Sequence, residues 1–232
     1  INSMTSKSVH QTLIQKYSDL ITDPESFFSK VKSELTYNQS LFFLIILTLS
    51  ATLIKIILTT PLLIKGTASF ANVTWAAQLL TLIYYPFYTL FYAIIAALIS
   101  FVLLFLLRTK GNNFTGNLNI LAYTQTIPLA YGIFGTLVVL VTELITGESS
   151  NQALLAVFSQ GFPSVSVFLA FSVMLTLIVT VVSWFHLIWA MTSGLNTHFD
   201  IAKHKGILIS IVSLILSFIV LTMISGLITF NI

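Results

Sequence analysis

Residues 41–62 read LFFLIILTLSATLIKIILTTPL, twenty-two positions that hold one charge, Lys55. A run this long and this apolar crosses a hydrocarbon core of about 30 Å as a single α-helix. The rest of the chain has the same character. Of its 232 residues 17 are charged, which is 7% against roughly 25% in an ordinary soluble domain. With 56% apolar residues and a mean hydropathy of +0.98, a soluble globule is excluded and lipid must be the solvent for most of the surface. The composition predicts an all-α, polytopic transmembrane helical bundle.

Four more spans are expected after the first. The apolar segment Val73 to Leu107 is 35 residues long, about 52 Å as one helix, so Pro86 is expected to divide it into a partly interfacial piece over Trp75–Tyr85 and a span over 87–107. The third span is placed at 121–145, the fourth at 165–191 and the fifth at 207–230. Ala153 to Phe162 is apolar but too short to cross, and is expected at the interface or dipping into the bilayer. Pro61 and Gly66 stand where the first span should end.

Ahead of the spans lies a polar arm, residues 1–38, with the membrane domain over 39–232. Eight of the 17 charges lie in the arm. Val9, Leu13, Ile14, Tyr17, Leu20 and Ile21 share one helical face, the pattern of a helix lying in the membrane surface. Asp23-Pro24-Glu25 then reads as a fresh helix start, with a capping carboxylate, a proline pre-set for the first turn and an acid that complements the dipole. Nothing in the first 25 residues resembles the apolar core of a signal peptide, so the arm is expected to stay on the side where it is made.

The cations give the orientation. Lys7, Lys16, Lys30 and Lys32 in the arm, Arg108 and Lys110 in the second-to-third loop, and Lys203 and Lys205 in the fourth-to-fifth loop put eight of ten on one side. The positive-inside rule makes that side cytoplasmic, which leaves the carboxyl terminus outside. The expected location is the cytoplasmic membrane in a prokaryote, or the endoplasmic reticulum and Golgi in a eukaryote. No Lys/Arg cluster is dense enough for nucleic acid. The absence of cysteine removes disulfides, thiolate metal sites and thiol catalysis.

Lys55 is the residue whose place the bilayer alone does not explain, since a cation near mid-span costs about 2.5–3.5 kcal/mol on insertion scales. It either snorkels toward the outer interface or serves an intramembrane polar site, for which Glu143, Gln125 and Tyr123 are the candidate companions. The third span is the least lipid-like, and Gly132 and Thr136, four apart, suit close helix packing. Ser172, Thr176, Thr180 and Ser183 form one stripe in the fourth span, and Ser210, Ser213 and Ser217 another in the fifth; both read as packing seams. Tyr84, Tyr85, Tyr88 and Tyr92, with Trp184 and Trp189, are expected interface anchors. His198, Asp200 and His204 lack a fourth ligand, so no metal is expected. No nucleophile elbow, zinc-protease motif, phosphate loop or facing carboxylate pair occurs, so no catalytic residue and no cofactor is expected.

Three short motifs carry a resemblance. Asp23-Pro24 with Phe27-Phe28 precedes the first span; Ala122-Tyr123 to Pro128 opens the third; and Trp189, Gly194-Leu195, His198 and Ala202 close the fourth and enter the next loop. In this order they resemble the Ypt-interacting-protein (Yip) domain family of five-span membrane proteins. The short arm is closer to the bacterial and archaeal branch than to the long-armed eukaryotic members, which cycle between endoplasmic reticulum and Golgi and bind Rab-type GTPases and each other. The resemblance implies a non-enzymatic membrane scaffold. Its expected partners are the lipid bilayer, other membrane proteins or a second copy of the chain, and a cytoplasmic protein at the arm. A channel, transporter or lipid-moving protein built around Lys55 and the third span is the alternative, and an accessory subunit of a larger membrane complex a third.

Overall fold

A computed structural model describes residues 12–32, 37–65, 75–147 and 167–229. Val9, the Asn72-Val73-Thr74 sequon, Glu148 and the Ala153–Phe162 segment lie outside the described residues. Among the described residues all regular structure is helical: α1 (Leu13–Thr22), α2 (Pro24–Val31), α3 (Tyr37–Lys65), α4 (Trp75–Leu106), α5 (Phe114–Thr124), α6 (Ile127–Thr146), α7 (Val167–Phe199) and α8 (Lys203–Thr229). Five stretches are long and apolar enough to cross a membrane, with α5 and α6 together making the third. The protein is an integral membrane protein with an all-α bundle.

Two prolines do not act as expected. α3 runs through Pro61 to Lys65, and α4 runs unbroken from Trp75 through Pro86 to Leu106. A proline removes one donor and crowds one carbonyl, a loss that transmembrane helices absorb where neighbours cover the freed groups. Pro86 is buried in the bundle. At 32 residues α4 is about 48 Å long, so it must tilt or project beyond the hydrocarbon.

The break falls instead in the third span, at Gln125–Thr126. Pro128 cannot donate to the Thr124 carbonyl, and the flanking hydroxyls turn back onto the chain at the break: Thr126 Oγ1 donates to the Tyr123 carbonyl at 2.7 Å and Thr124 Oγ1 to that of Leu121 at 3.3 Å, carbonyls that also accept the N–H groups of Thr126 and Gln125. Tyr17 of α1 bridges the break. Its hydroxyl donates to the Thr126 carbonyl at 3.0 Å and accepts from the Ala130 N–H at 3.2 Å, standing between two groups that would otherwise bond directly. α1 is thereby pinned to the bundle. Leu20 is fully buried, Tyr17 and Ile21 pack on the core, and Ile14 is left 81% exposed as the outward half of the apolar face.

α5 is the centre of the bundle, touching α3, α4 and α7, and every residue from Ile120 to Ile127 is buried. The expected centrality of the third span holds for this half only. α6 packs against α3 and α7 and leaves Phe134, Val141 and Ile145 exposed on its outer face. On α4 the buried positions Ala93, Ala96, Ala97 and Ser100 form the close-packed seam, and Ser100 Oγ donates to Asn117 Oδ1 of α5 at 2.7 Å. Asn117 also donates to Asn112 Oδ1, and Ser40 Oγ of α3 donates to Asn119 Oδ1 at 2.6 Å, so an amide network ties α3, α4 and α5 at the end that carries the arm.

Candidate functional site: a tyrosine-walled cavity beside Lys55

The residues of the three short motifs converge. Asp23 caps α2 by accepting from the Ser26 N–H at 3.1 Å, Pro24 occupies its first turn, and Glu25 lies beside it. This aims Phe27 and Phe28 into the bundle. Phe27 meets Tyr123 edge-on at 5.0 Å between ring centroids, and Phe43 meets the same ring at 5.2 Å. Phe28 faces Gly194, where an added Cβ would lie 2.7 Å from Ile120 Cγ2 and 3.1 Å from the Phe28 ring. Leu195 is buried beside this junction, and His198 packs on Gly116. Lys32 closes the arm over α7 by donating to the Thr197 carbonyl at 2.8 Å. Trp189 remains half exposed, 5.4 Å from His186, and Ala202 starts α8 by accepting from the N–H groups of Lys205 and Gly206. Among the described residues no group of three potential ligands is placed to hold a metal; Asp200 is exposed and His198 is occupied with packing.

Farther from the arm, a cavity of about 580 Å³ lies among α3, α4, α6, α7 and α8. Tyr85, Tyr88, Thr89 and Tyr92 form one wall, at the spacing of a single helical face. Three of the four tyrosines expected as anchors therefore line a cavity; Tyr84 alone points away and stacks on Tyr88 at 5.8 Å. The opposite walls are Gly132, Gly135 and Thr136 of α6 and Thr176, Thr180, Ser183 and Trp184 of α7. Tyr131 lines it too, and its hydroxyl shares a 2.8 Å hydrogen bond with His186 Nδ1.

Lys55 reaches the edge of this cavity. Its ammonium lies 5.5 Å above the Tyr85 ring and against Gly132, where an added Cβ would stand 2.7 Å from Nζ. A desolvated cation–π contact contributes about 2 kcal/mol, less than the cost of a cation at this depth. Gln125 faces the cavity from the helix break, where it is 7% exposed and its Nε2 makes no hydrogen bond. The other two candidate companions stand elsewhere. Tyr123 belongs to the aromatic junction with Phe27 and Phe43, and Glu143, 1% exposed, lies eleven residues beyond Gly132 on α6, roughly 16 Å along its axis. The proposed Lys55–Glu143 pair is not formed, because the notch that admits the ammonium is at Gly132.

The hydroxyl stripes divide. Thr136, Thr176 and Thr180 donate to carbonyls one turn back, at 2.8–3.0 Å, while turning their methyls to the cavity. Ser172 is buried in the packed part of α7. Ser210, Ser213 and Ser217 are fully buried on α8, where Ser210 bonds Thr192 of α7 at 3.2 Å and Ser217 donates to the Ser213 carbonyl. These serines face the chain's own helices and are not offered to a partner subunit.

Five helical stretches able to span a membrane are what the family resemblance implies. The model of the Yip1 domain matches residues 18–224. The chain belongs to the Yip1 domain family. No curated protein and no solved structure matches it significantly. Within this Yip1-domain protein the family match spans both the arm junction and the cavity, and Tyr17 lies one residue ahead of it. Sequence reasoning overlooked Tyr17 as a structural residue, although a tyrosine on an amphipathic face opposite a proline-broken span is the signal. Burial pushes the Tyr17 hydroxyl up to about 12.

Proposed function

We propose that this Yip1-domain protein is a non-enzymatic integral membrane scaffold that works through protein partners gathered at its basic end. The observation that carries this reading is the fixed placement of the arm. Tyr17 in the helix break, Phe27–Phe28 in the bundle and Lys32 on Thr197 make α1 and α2 part of one surface with the loops. Lys30, Arg108, Lys110, Lys203 and Lys205 are exposed there. A preorganised surface of this kind suits the acidic segment of a cytoplasmic protein or a neighbouring membrane protein, since little ordering is left to the moment of binding. With the amino terminus cytoplasmic, this end faces the compartment where such partners are made.

The experiment is purification in gentle detergent and identification of what accompanies the wild type and a Lys30→Gln/Lys203→Gln/Lys205→Gln variant. Defined proteins that are retained by the wild type and lost from the variant are expected. An identical set with both, or none with either, would count against a partner surface at this end.

The cavity favours a second reading, a channel, transporter or lipid-moving protein. Flux in reconstituted vesicles that disappears in Lys55→Met supports it, and vesicles no leakier or faster than protein-free controls dispose of it.

A further inference from the structure

The cavity beside Lys55 has a cation at its edge. The ammonium is held at the Gly132 notch by contact with an aromatic face, and among the described residues no carboxylate pairs with it. Among the described residues no Asp or Glu lines the cavity, while Gln125, more than nine-tenths buried, is part of its wall and carries an amide Nε2 that makes no hydrogen bond. A buried donor and a cation without acceptors are costly in a low-dielectric site unless an acceptor arrives from outside the chain. Gln125 at the helix break and Gly132 on α6 both line this one cavity, so a phosphate together with a hydroxyl-bearing headgroup can address both.

The remaining surface says what else the ligand carries. Tyr88, Tyr92, Val139, Val179, Leu187 and Phe218 make most of the lining apolar or aromatic. The cavity reaches the outside of the bundle at Thr180, Trp184 and Phe218, which are exposed on α7 and α8 within two of the apolar spans. A small hydrated ion would lose its water there and gain few replacements, whereas a lipid enters sideways with its tail still solvated by the bilayer.

We propose that this cavity binds one anionic phospholipid, with the phosphate at Lys55, the headgroup hydroxyls toward Gln125, and an acyl chain leaving between Trp184 and Phe218. The charge-assisted hydrogen bond from Lys55 selects the net negative headgroup. The inference uses the cavity of the second reading but does not require transport: binding can hold where flux fails, and the two are measured separately.

The test takes the full chain, delipidated in detergent, with short-chain phosphatidylglycerol, short-chain phosphatidylcholine of the same chain length, and inorganic phosphate. Native mass spectrometry counts adducts and titration gives affinities. One phosphatidylglycerol per chain is expected, bound about tenfold or more tighter than phosphatidylcholine. Lys55→Met should bring the two lipids level and Lys55→Arg should keep the preference. Lys55→Met removes an unpaired cation and is expected to fold; should it not, Gln125→Leu, with phosphatidylglycerol weakened and phosphatidylcholine unchanged, decides in its place. Equal binding of the two lipids, or an unaltered preference in folded Lys55→Met, overturns the proposal. Displacement of the lipid by millimolar inorganic phosphate overturns the choice of a lipid as occupant.

Discussion

Gly132 and Gly194 both sit where another group presses on the missing side chain, and the two should respond to substitution in opposite ways. At Gly194 a methyl would meet Ile120 Cγ2 at 2.7 Å and the Phe28 ring at 3.1 Å, atoms held in a packed junction. Gly194→Ala is expected to destabilise by about 1–3 kcal/mol, the usual cost of overpacking. At Gly132 the methyl meets only the end of the Lys55 side chain. A long flexible chain can swing aside, so Gly132→Ala should leave the melting temperature nearly unchanged while moving the ammonium out of its notch. Thermal melts in detergent separate the two. A fall at Gly132 as large as that at Gly194 would mean that the lysine is held more firmly than its contacts account for. Tyr17 makes a related point about hydroxyls, since its value lies in bridging two backbone groups that the helix break has separated. Tyr17→Phe should cost about 1 kcal/mol, as for one ordinary hydrogen bond, and should raise amide exchange over Leu13–Thr22 without loosening α5.

The docking of α1 depends on the charge state of that tyrosine. The phenol is neutral when bound, and burial raises it from 10.0 to about 12. A raised value in the folded state means that the stabilisation is complete below pH 10 and is lost as pH climbs through 12. The protection factor of α1, the amide exchange rate of an unstructured peptide at the same pH divided by its own, should therefore be flat below pH 10 and fall between 10 and 12, with that of Tyr17→Phe flat over the same range. Which helix breaks and which does not was unreadable from the prolines alone. Pro61, Pro86 and Pro128 all lie in apolar runs, and Pro61, like Pro128, follows threonines whose hydroxyls donate to backbone carbonyls; what sets Pro128 apart among the described residues is the Tyr17 hydroxyl of another element, which bridges the groups on either side of the break. The Asp23 cap was local and hence legible, because it involves residues within three positions of its own helix start; the Thr12 and Gln15 capping box, equally local, went unread.

Five spans, an amphipathic arm and a charge bias follow from hydropathy, helical period and cation placement, since each is a property of the chain against water or lipid and needs no knowledge of neighbours. The orientation they imply can be checked directly, because the chain contains no cysteine. Single cysteines at Ser29 and at Glu148 should react with a membrane-impermeant thiol reagent from opposite faces, Ser29→Cys from the cytoplasmic side and Glu148→Cys from the outside; labelling of both from one side would defeat the five-span topology. The sequence also isolated Lys55 and named Gln125 as a candidate companion, but it offered Glu143 and Tyr123 equally and set Tyr85, Tyr88 and Tyr92 at an interface. Only the tertiary structure put the ammonium against Gly132 and turned three tyrosines into a cavity wall. It likewise brought Phe27–Phe28, Tyr123 and Gly194 from distant parts of the chain to one junction. The physical reason is common to these cases. Partition into lipid is decided residue by residue along the chain, whereas partners inside lipid are chosen by shape and by unsatisfied polar groups, and those depend on which helices stand next to one another.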